Sequence, residues 1–285
     1  MADRLVVAAA GRLVDVLAAG LPTWSRNTLR QRLQLGCIDV NGVPAARHDQ
    51  SVAVGDVVTI RGKGEATRGT SGPALPILFE DEDLVAIDKP CGLLSVASDD
   101  ERQRTAMAML QKQLGRGRDL DLWPVHRIDR ETSGVLLFAK QRDVKESVQA
   151  AWADAEKAYA VVVAGHPEPA QGEIDRPLWE DKNLRVRVGD HADAKAARTR
   201  YRTVERGVQT SLLEVLLDTG RKHQIRAHLA WFGHPVVGDD RYGVRGPRLL
   251  LHAQRLSLPH PRDRRTIVIE AAVPPEFAAA LVRGR

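Results

Sequence analysis

The feature that most limits how this chain can fold is residues 63–76, KGEATRGTSGPALP. Three glycines, two prolines and small polar residues leave nothing apolar there to bury at a regular spacing. The stretch reads as a linker. It divides the 285 residues into a small module, residues 1–62, and a domain large enough for a substantial core, residues 77–285. Hydrophobic residues at 43% against 28% charged exclude a disordered tail, and no apolar run approaches the about 18 residues of a spanning helix. Arg12 and Asp15 interrupt the apolar start and no secretory cleavage pattern follows, so a cytoplasmic protein without membrane contact is expected. Cys37 and Cys91 form no CxxC pair, which argues against a disulfide scaffold or a cysteine-built zinc site.

In the small module, apolar spacing predicts helices over 12–21 and 28–35 and strands over 38–40 and 52–60. Asn41-Gly42 is a hairpin turn, because both central positions need positive φ. Residues 25–36 carry Arg26, Arg30 and Arg32 without an acid. A solvated helix face and a contact with RNA phosphate both fit that pattern, and the net charge of +5 suits the second without requiring it.

In the large domain, strands are expected at 84–87, 135–139, 159–164, 212–217 and 267–273, with half-exposed strands at 185–188 and 199–203. Helical spacing fits 105–114, 144–155, 223–232 and 275–282. Strands do not alternate one for one with helices, so the expectation is an α+β domain around a largely antiparallel mixed sheet.

Several chemistries are disfavoured. His223 and His228 are five apart, whereas two ligands on one helix face need a spacing of three or four, and no HExxH accompanies them, so no metal is expected. Ser133 sits in ETSGV rather than GxSxG. Neither GxxxxGK[ST] nor GxGxxG is present, which leaves no cradle for a nucleotide cofactor. What remains is residues 124–140, PVHRIDRETSGVLLFAK, where Asp129 stands at the mouth of an apolar strand. A carboxylate in a cleft would need a cationic partner, for which arginine is suited by its permanent charge and forked donors. A capping aspartate in a loop fits the same residues.

Ser25-Arg26, the helix end at 31–36 and GCIDVNGVPA resemble the S4 RNA-binding module. HRIDRETSG at 126–134 resembles the signature of the RluA family of pseudouridine synthases. EDEDLVAIDKPCGLLSV at 80–96, Lys157-Ala158-Tyr159, TGRKHQIRAHLAWFGHPVVGDDRYG at 219–243 and LLLHAQRLSLPHP at 249–261 follow in the family's order, over about residues 77–275. The resemblance implies a pseudouridine-synthase-like fold and isomerisation of uridine without a cofactor. Asp129 would initiate cleavage of the C1′–N1 bond, by attack at C1′ or by proton abstraction from the ribose. Tyr159 would stack on the base and take part in proton loss from C5, although a tyrosine in KAYAVVVAG also fits plain sheet packing. Arg221 would pair with the carboxylate, with Arg226 as the alternative. Arg127 would fill the space left by the flipped nucleotide, and His126 would orient the loop or bind the substrate. Lys89 would shape the cleft wall or touch phosphate. Arg262, Arg264 and Arg265 fit either an RNA contact or a solvated loop. The implied partner is RNA, with no obligatory protein partner and a monomeric enzyme. KPCGLLSVAS resembles members acting on small hairpins of tRNA or rRNA, whereas many relatives modifying large rRNA read KPxGxxVHP, so both RNA classes stay open. A catalytically silent RNA-binding or ribosome-assembly factor on the same fold is the alternative, and a metal-dependent nuclease is weakened by the missing ligand spacing.

Overall fold

The computed structural model describes residues 3–21, 24–25, 28–29, 32–33, 37–45, 50–60, 74–97, 101, 104–115 and 120–282. The chain divides into two compact units, Met1–Thr70 and Ser71–Arg285.

In the first unit, β1 (Asp3–Val6) pairs with β6 (Val57–Ile60), whose other edge takes β3 (Ile38–Val40). β3 turns into β4 (Val43–Pro44) through Asn41 and Gly42, at φ 53° and 80°, as the Asn-Gly signal requires. The strand expected over 52–60 is instead two. β5 (Ser51–Val52) pairs with β2 (Gly11–Arg12), and a turn at Gly55, φ 91°, separates it from β6. Asp56 fixes that turn by accepting the Ala53 N–H at 2.7 Å. Helix α1 (Leu13–Gly20) buries Leu13, Val14 and Leu17, and the unit's core also takes Leu29, Ile38 and Val58. Arg26 and Arg30 lie outside the described residues, and Arg32 places its guanidinium 4.9 Å from the centre of the Trp24 ring.

The second unit is built on one mixed sheet. Its elements run β7 (Ile77–Glu80), β8 (Leu84–Lys89), α2 (Ala106–Gly115), β9 (Trp123–Pro124), β10 (Ser133–Ala139), α3 (Arg142–Ala150), β11 (Glu156–Ala164) and β12 (Gln171–Asp175). There follow β13 (Leu178–Glu180), β14 (Val186–Val188), β15 (Arg198–Arg206), β16 (Thr210–Leu217), α4 (Gln224–Trp231), β17 (Leu251–Pro259), β18 (Thr266–Glu270) and α5 (Pro275–Val282). The order across the sheet is β12-β15-β16-β11-β17-β10-β8-β7, with β18 along β17 and β9 along β10. Only β10 and β17 run parallel among the described pairs. β13 and β14 form a separate hairpin.

Burial follows the sequence pattern. The unbroken apolar run of β10 marks a strand covered on both faces, and all seven of its residues are buried. Leu137 faces α3 with Val144 and Val148, while Leu136 and Phe138 face α2 with Ala106 and Leu110. β16 alternates buried and half-buried positions, as a strand with one covered face should.

The register around β17 positions the site. Ala253 is the neighbour of Gly134 on one side and of Tyr159 on the other, so the strand after Asp129 is one strand removed from Tyr159. Gln254 is an extra residue in β17, a bulge of the kind that re-aims side chains beside functional sites. Gly134 has φ 109°, and a β-carbon there would collide with the Ala253 backbone. Gly134→Ala therefore combines backbone strain with a clash against main chain. It should cost about 3 kcal/mol or more, read as a lowered urea midpoint with an unchanged slope.

Candidate active site

Asp129 lies in the loop from β9 to β10, and two adjacent loops are laced together around it. Lys89, at the end of β8, is fully buried, and its ammonium donates to the carbonyls of Pro90 (2.9 Å), Leu93 (2.7 Å) and Arg130 (3.1 Å). The Gly92 N–H shares the Arg130 carbonyl at 2.9 Å. Ser95 Oγ donates to the Ile128 carbonyl at 2.7 Å and takes the Ile128 N–H at 3.2 Å. The residues before and after Asp129 are thus both anchored to the loop after β8. A cleft of about 370 Å³ opens there, within the size range of ligand pockets, walled by Leu94, Ser95, Arg127, Asp129, His223 and Arg226 among others.

The cation facing Asp129 is Arg226, in the first turn of α4. Its Nη1 stands 3.3 Å from Asp129 Oδ2, while Nε and Nη2 form a fork on Asp239, at 2.8 and 2.9 Å. Arg226 and Asp239 side chains are 6% and 0% exposed, so this pair is out of water. Burial opposes ionisation of Asp239, but the hydrogen bonds and charge of Arg226 outweigh it and hold the carboxyl below the ordinary range. The N–H groups of Arg241 and Tyr242 also donate to Asp239 Oδ1, at 2.9 and 3.0 Å.

Arg221 does not fill the role expected of it. It is exposed, its Nε donates to the Ala196 carbonyl at 3.2 Å, and its N–H donates to Gln224 Oε1 at 3.0 Å. It precedes the helix, whereas Arg226 lies inside the first turn and faces the buried Asp239. Two further expectations are corrected. Lys89 cannot touch phosphate, because its three donors are used on carbonyls inside the fold; burial draws its pKa down to about 8. His126 is not a substrate ligand either. Its Nε2 accepts the Leu137 N–H at 3.1 Å, its ring stacks on Trp152 at 5.0 Å, and burial draws its pKa down to about 4. It holds the loop onto β10. Arg127 is exposed on the cleft wall.

Tyr159 is half-buried on β11. Burial first, and the charge of Asp129 second, push its phenol well above the usual value, so the hydroxyl keeps its proton at neutral pH. Away from the cleft, His228 is satisfied by Thr199 Oγ1 at 2.8 Å and the Arg176 carbonyl at 2.9 Å. Arg262 forks onto the buried Asp83, while Arg265 pairs with Asp263 at 3.2 Å and Arg264 lies 4.0 Å from Asp154.

With this geometry in hand, the chain matches the family model described as RNA pseudouridylate synthase over residues 83–231. It is 35% identical to the ribosomal large subunit pseudouridine synthase D of Nitrosomonas europaea, over 95% of this chain and 83% of the relative. The chain belongs to the RluA family of RNA pseudouridine synthases. The dual-specificity RNA pseudouridine synthase RluA of Escherichia coli is 34% identical over 70% of this synthase and 93% of its own length. The solved structure of human RNA pseudouridylate synthase domain containing 4 superposes with a TM-score of 0.61 at 25% identity, over 72% of the synthase and 91% of that chain.

Sequence reading missed Asp239, Tyr242 and His223 as parts of this site. One signal pointed to Asp239: an arginine inside IRAHLAW, on a helix with apolar neighbours, must find a buried acid.

Two outcomes follow for the synthase. Asp239→Asn leaves Arg226 half-paired out of water and should lower stability by about 3–5 kcal/mol. In the wild type the Asp239 contribution is present above the ordinary carboxylate range, about 3.9, and is lost as pH falls through the lowered folded value, which acid unfolding with and without the substitution resolves. Lys89→Met takes a donor from three carbonyls, of which that of Arg130 keeps the Gly92 N–H. It should lower the melting temperature while leaving the salt slope of RNA binding unchanged; a shallower slope would mean that Lys89 neutralises a phosphate after all.

Proposed function

We propose that the synthase converts specific uridines of ribosomal RNA to pseudouridine, with Asp129 opening the reaction, Arg226 as its fixed cation, and no cofactor. The observation that carries this reading is the buried Arg226, forked on Asp239 and presenting its remaining nitrogen to Asp129 Oδ2 at 3.3 Å. In the reaction the C1′–N1 bond breaks, the base rotates, a C5–C1′ bond forms, the C5 proton leaves and N1 gains a proton. Atoms and electrons balance without an oxidant or reductant. Attack by Asp129 at C1′ would give a neutral ester, and proton abstraction from the ribose would give a neutral acid. Either route removes the Asp129 charge, one of the two causes that hold the Tyr159 phenol protonated, so Tyr159 ionises more readily once the bond is open. This timing suits Tyr159 giving its own proton toward N1 and then, as the phenolate, taking the C5 proton late. Arg127, exposed on the cleft wall, would occupy the space vacated by the flipped nucleotide.

Ribosomal RNA is favoured over tRNA by the relative named for the large ribosomal subunit, whose alignment over 95% of the chain extends past Ser71–Arg285 into the first unit. That unit would serve as an S4-like RNA-binding module with Arg26, Arg30 and Arg32 toward phosphate. Such a substrate is reached by a monomer in the cytoplasm without an obligatory protein partner. Small tRNA hairpins are the second reading, which rests on the KPCGLLSVAS form.

Purified protein and unmodified large-subunit RNA test the assignment. Asp129→Ala should abolish pseudouridine formation and leave RNA affinity within about threefold, since one carboxylate adds nothing to counterion release. Turnover that survives Asp129→Ala would overturn the reading. Removing residues 1–62 should weaken binding and flatten its salt slope while sparing the chemistry, and an unchanged slope would count against the module's RNA role.

A further inference from the structure

One group that the reading above does not use stands against the catalytic carboxylate, and a second stands behind it. His223 Nε2 lies 3.8 Å from Asp129 Oδ2, the same oxygen that Arg226 approaches. Its other nitrogen, Nδ1, lies 3.0 Å from the Tyr242 hydroxyl. We propose that Tyr242 and His223 are positioning residues that, with Arg226, hold Oδ2 of Asp129 and leave Oδ1 to react with the ribose. The inference rests on the assignment of Asp129 as the reacting group.

The hydrogen-bond pattern sets the tautomer. The Tyr242 oxygen already accepts the Val186 N–H at 3.1 Å, and its single hydrogen has one acceptor among the described residues, His223 Nδ1. Burial raises the Tyr242 pKa, which keeps that hydrogen in place. A neutral imidazole that accepts at Nδ1 carries its proton on Nε2, aimed at Asp129. The 3.8 Å separation is longer than a hydrogen bond, of the kind that tightens to one when substrate closes a site. The groups facing the ring are Asp129 from the β9–β10 loop, Lys222 and Arg226 from its own segment, and Arg241 and Tyr242 from the loop before β17. Burial and the three cations outweigh Asp129 and lower the His223 pKa, so the ring is neutral at pH 7.

Backbone geometry points the same way. His223 has φ 52° and ψ 22°, a left-handed conformation that costs a side-chain-bearing residue and survives where surrounding contacts impose it. One short loop imposes both halves of the arrangement: Asp239 holds Arg226, and Tyr242, whose own N–H is bound to Asp239, holds His223. The guanidinium groups of Arg226 and Arg185 lie over the Tyr242 ring, at 5.3 and 5.4 Å from its centre, and removing only the hydroxyl leaves these ring contacts in place.

The test uses the full chain in four variants, Tyr242→Phe, His223→Ala, the double substitution and His223→Gln, with melting temperature as a fold control. Nitrogen resonances of the His223 ring in isotope-labelled free protein should show Nε2 protonated and Nδ1 accepting, a preference lost in Tyr242→Phe, and the kcat loss of the double variant should not exceed that of His223→Ala, because the two act in series. Turnover on RNA should fall about tenfold in kcat with KM changed less than about twofold, the size expected for one hydrogen bond to a charged group. His223→Gln, whose side-chain amide can donate from near the Nε2 position, should restore most of the rate. Additive losses in the double variant, a His223 ring protonated on Nδ1 in the wild type or an effect on KM alone would overturn the proposal. A wild-type chain that makes no pseudouridine, with the His223 tautomer as expected, would sink the functional reading and support the positioning one.

Discussion

A permanent cation out of water is the constraint on which the site depends. Arg226 cannot neutralise itself by losing a proton, so its burial in the first turn of α4 is tolerable only with an acid beside it. Asp239 supplies that acid through a two-pronged bond and is itself fastened by two backbone N–H groups. A guanidinium has more donors than one carboxylate can take. The remaining nitrogen is directed at Asp129, which makes the loop before β10, the helix after β16 and the loop before β17 a single electrostatic unit.

The sheet determines where that unit can form. β10 and β17 run parallel and close enough that only glycine fits at position 134. That approach brings the Asp129 loop within one strand of Tyr159, and the extra residue at Gln254 adjusts the register there. Lys89 completes the scaffold from the other side. A lysine is among the residues least often buried, and here the cost is offset by three carbonyl partners, two in the loop after β8 and one on Arg130, the residue after Asp129.

Much of this was legible in the chain itself. The uninterrupted VLLFA run marked a strand and Asn41-Gly42 marked a hairpin, while Asp129 at the mouth of that strand fitted a cleft and a capping turn alike. β17 was not foreseen, because LHAQRLSLP interleaves buried apolar residues with His252, Gln254 and Arg255 and gives no continuous run. The choice between Arg221 and Arg226 was also beyond local reasoning. Both lie in one basic segment, and the deciding acid, Asp239, comes 13 residues after Arg226 in a loop whose path is set by tertiary packing. Lys89 and His126 were placed near substrate for a similar reason: charge in a sequence suggests solvent or ligand, and only coordinates show that backbone groups have already claimed it.

An RNA-binding role for the first unit would suit an enzyme that must find one uridine in a large folded RNA, where affinity comes from phosphate contacts and selection from RNA shape. The account stands or falls on whether this chain makes pseudouridine in the cell through Asp129. The most direct measurement is a pseudouridine map of ribosomal RNA and tRNA from the parent strain, a strain lacking the protein, and the deletion strain carrying either the wild-type gene or Asp129→Ala. The account predicts at least one ribosomal RNA position that loses its pseudouridine in the deletion, regains it with the wild-type gene and stays unmodified with Asp129→Ala. Ribosomal RNA maps that are identical in all four strains, with the protein expressed, would contradict it.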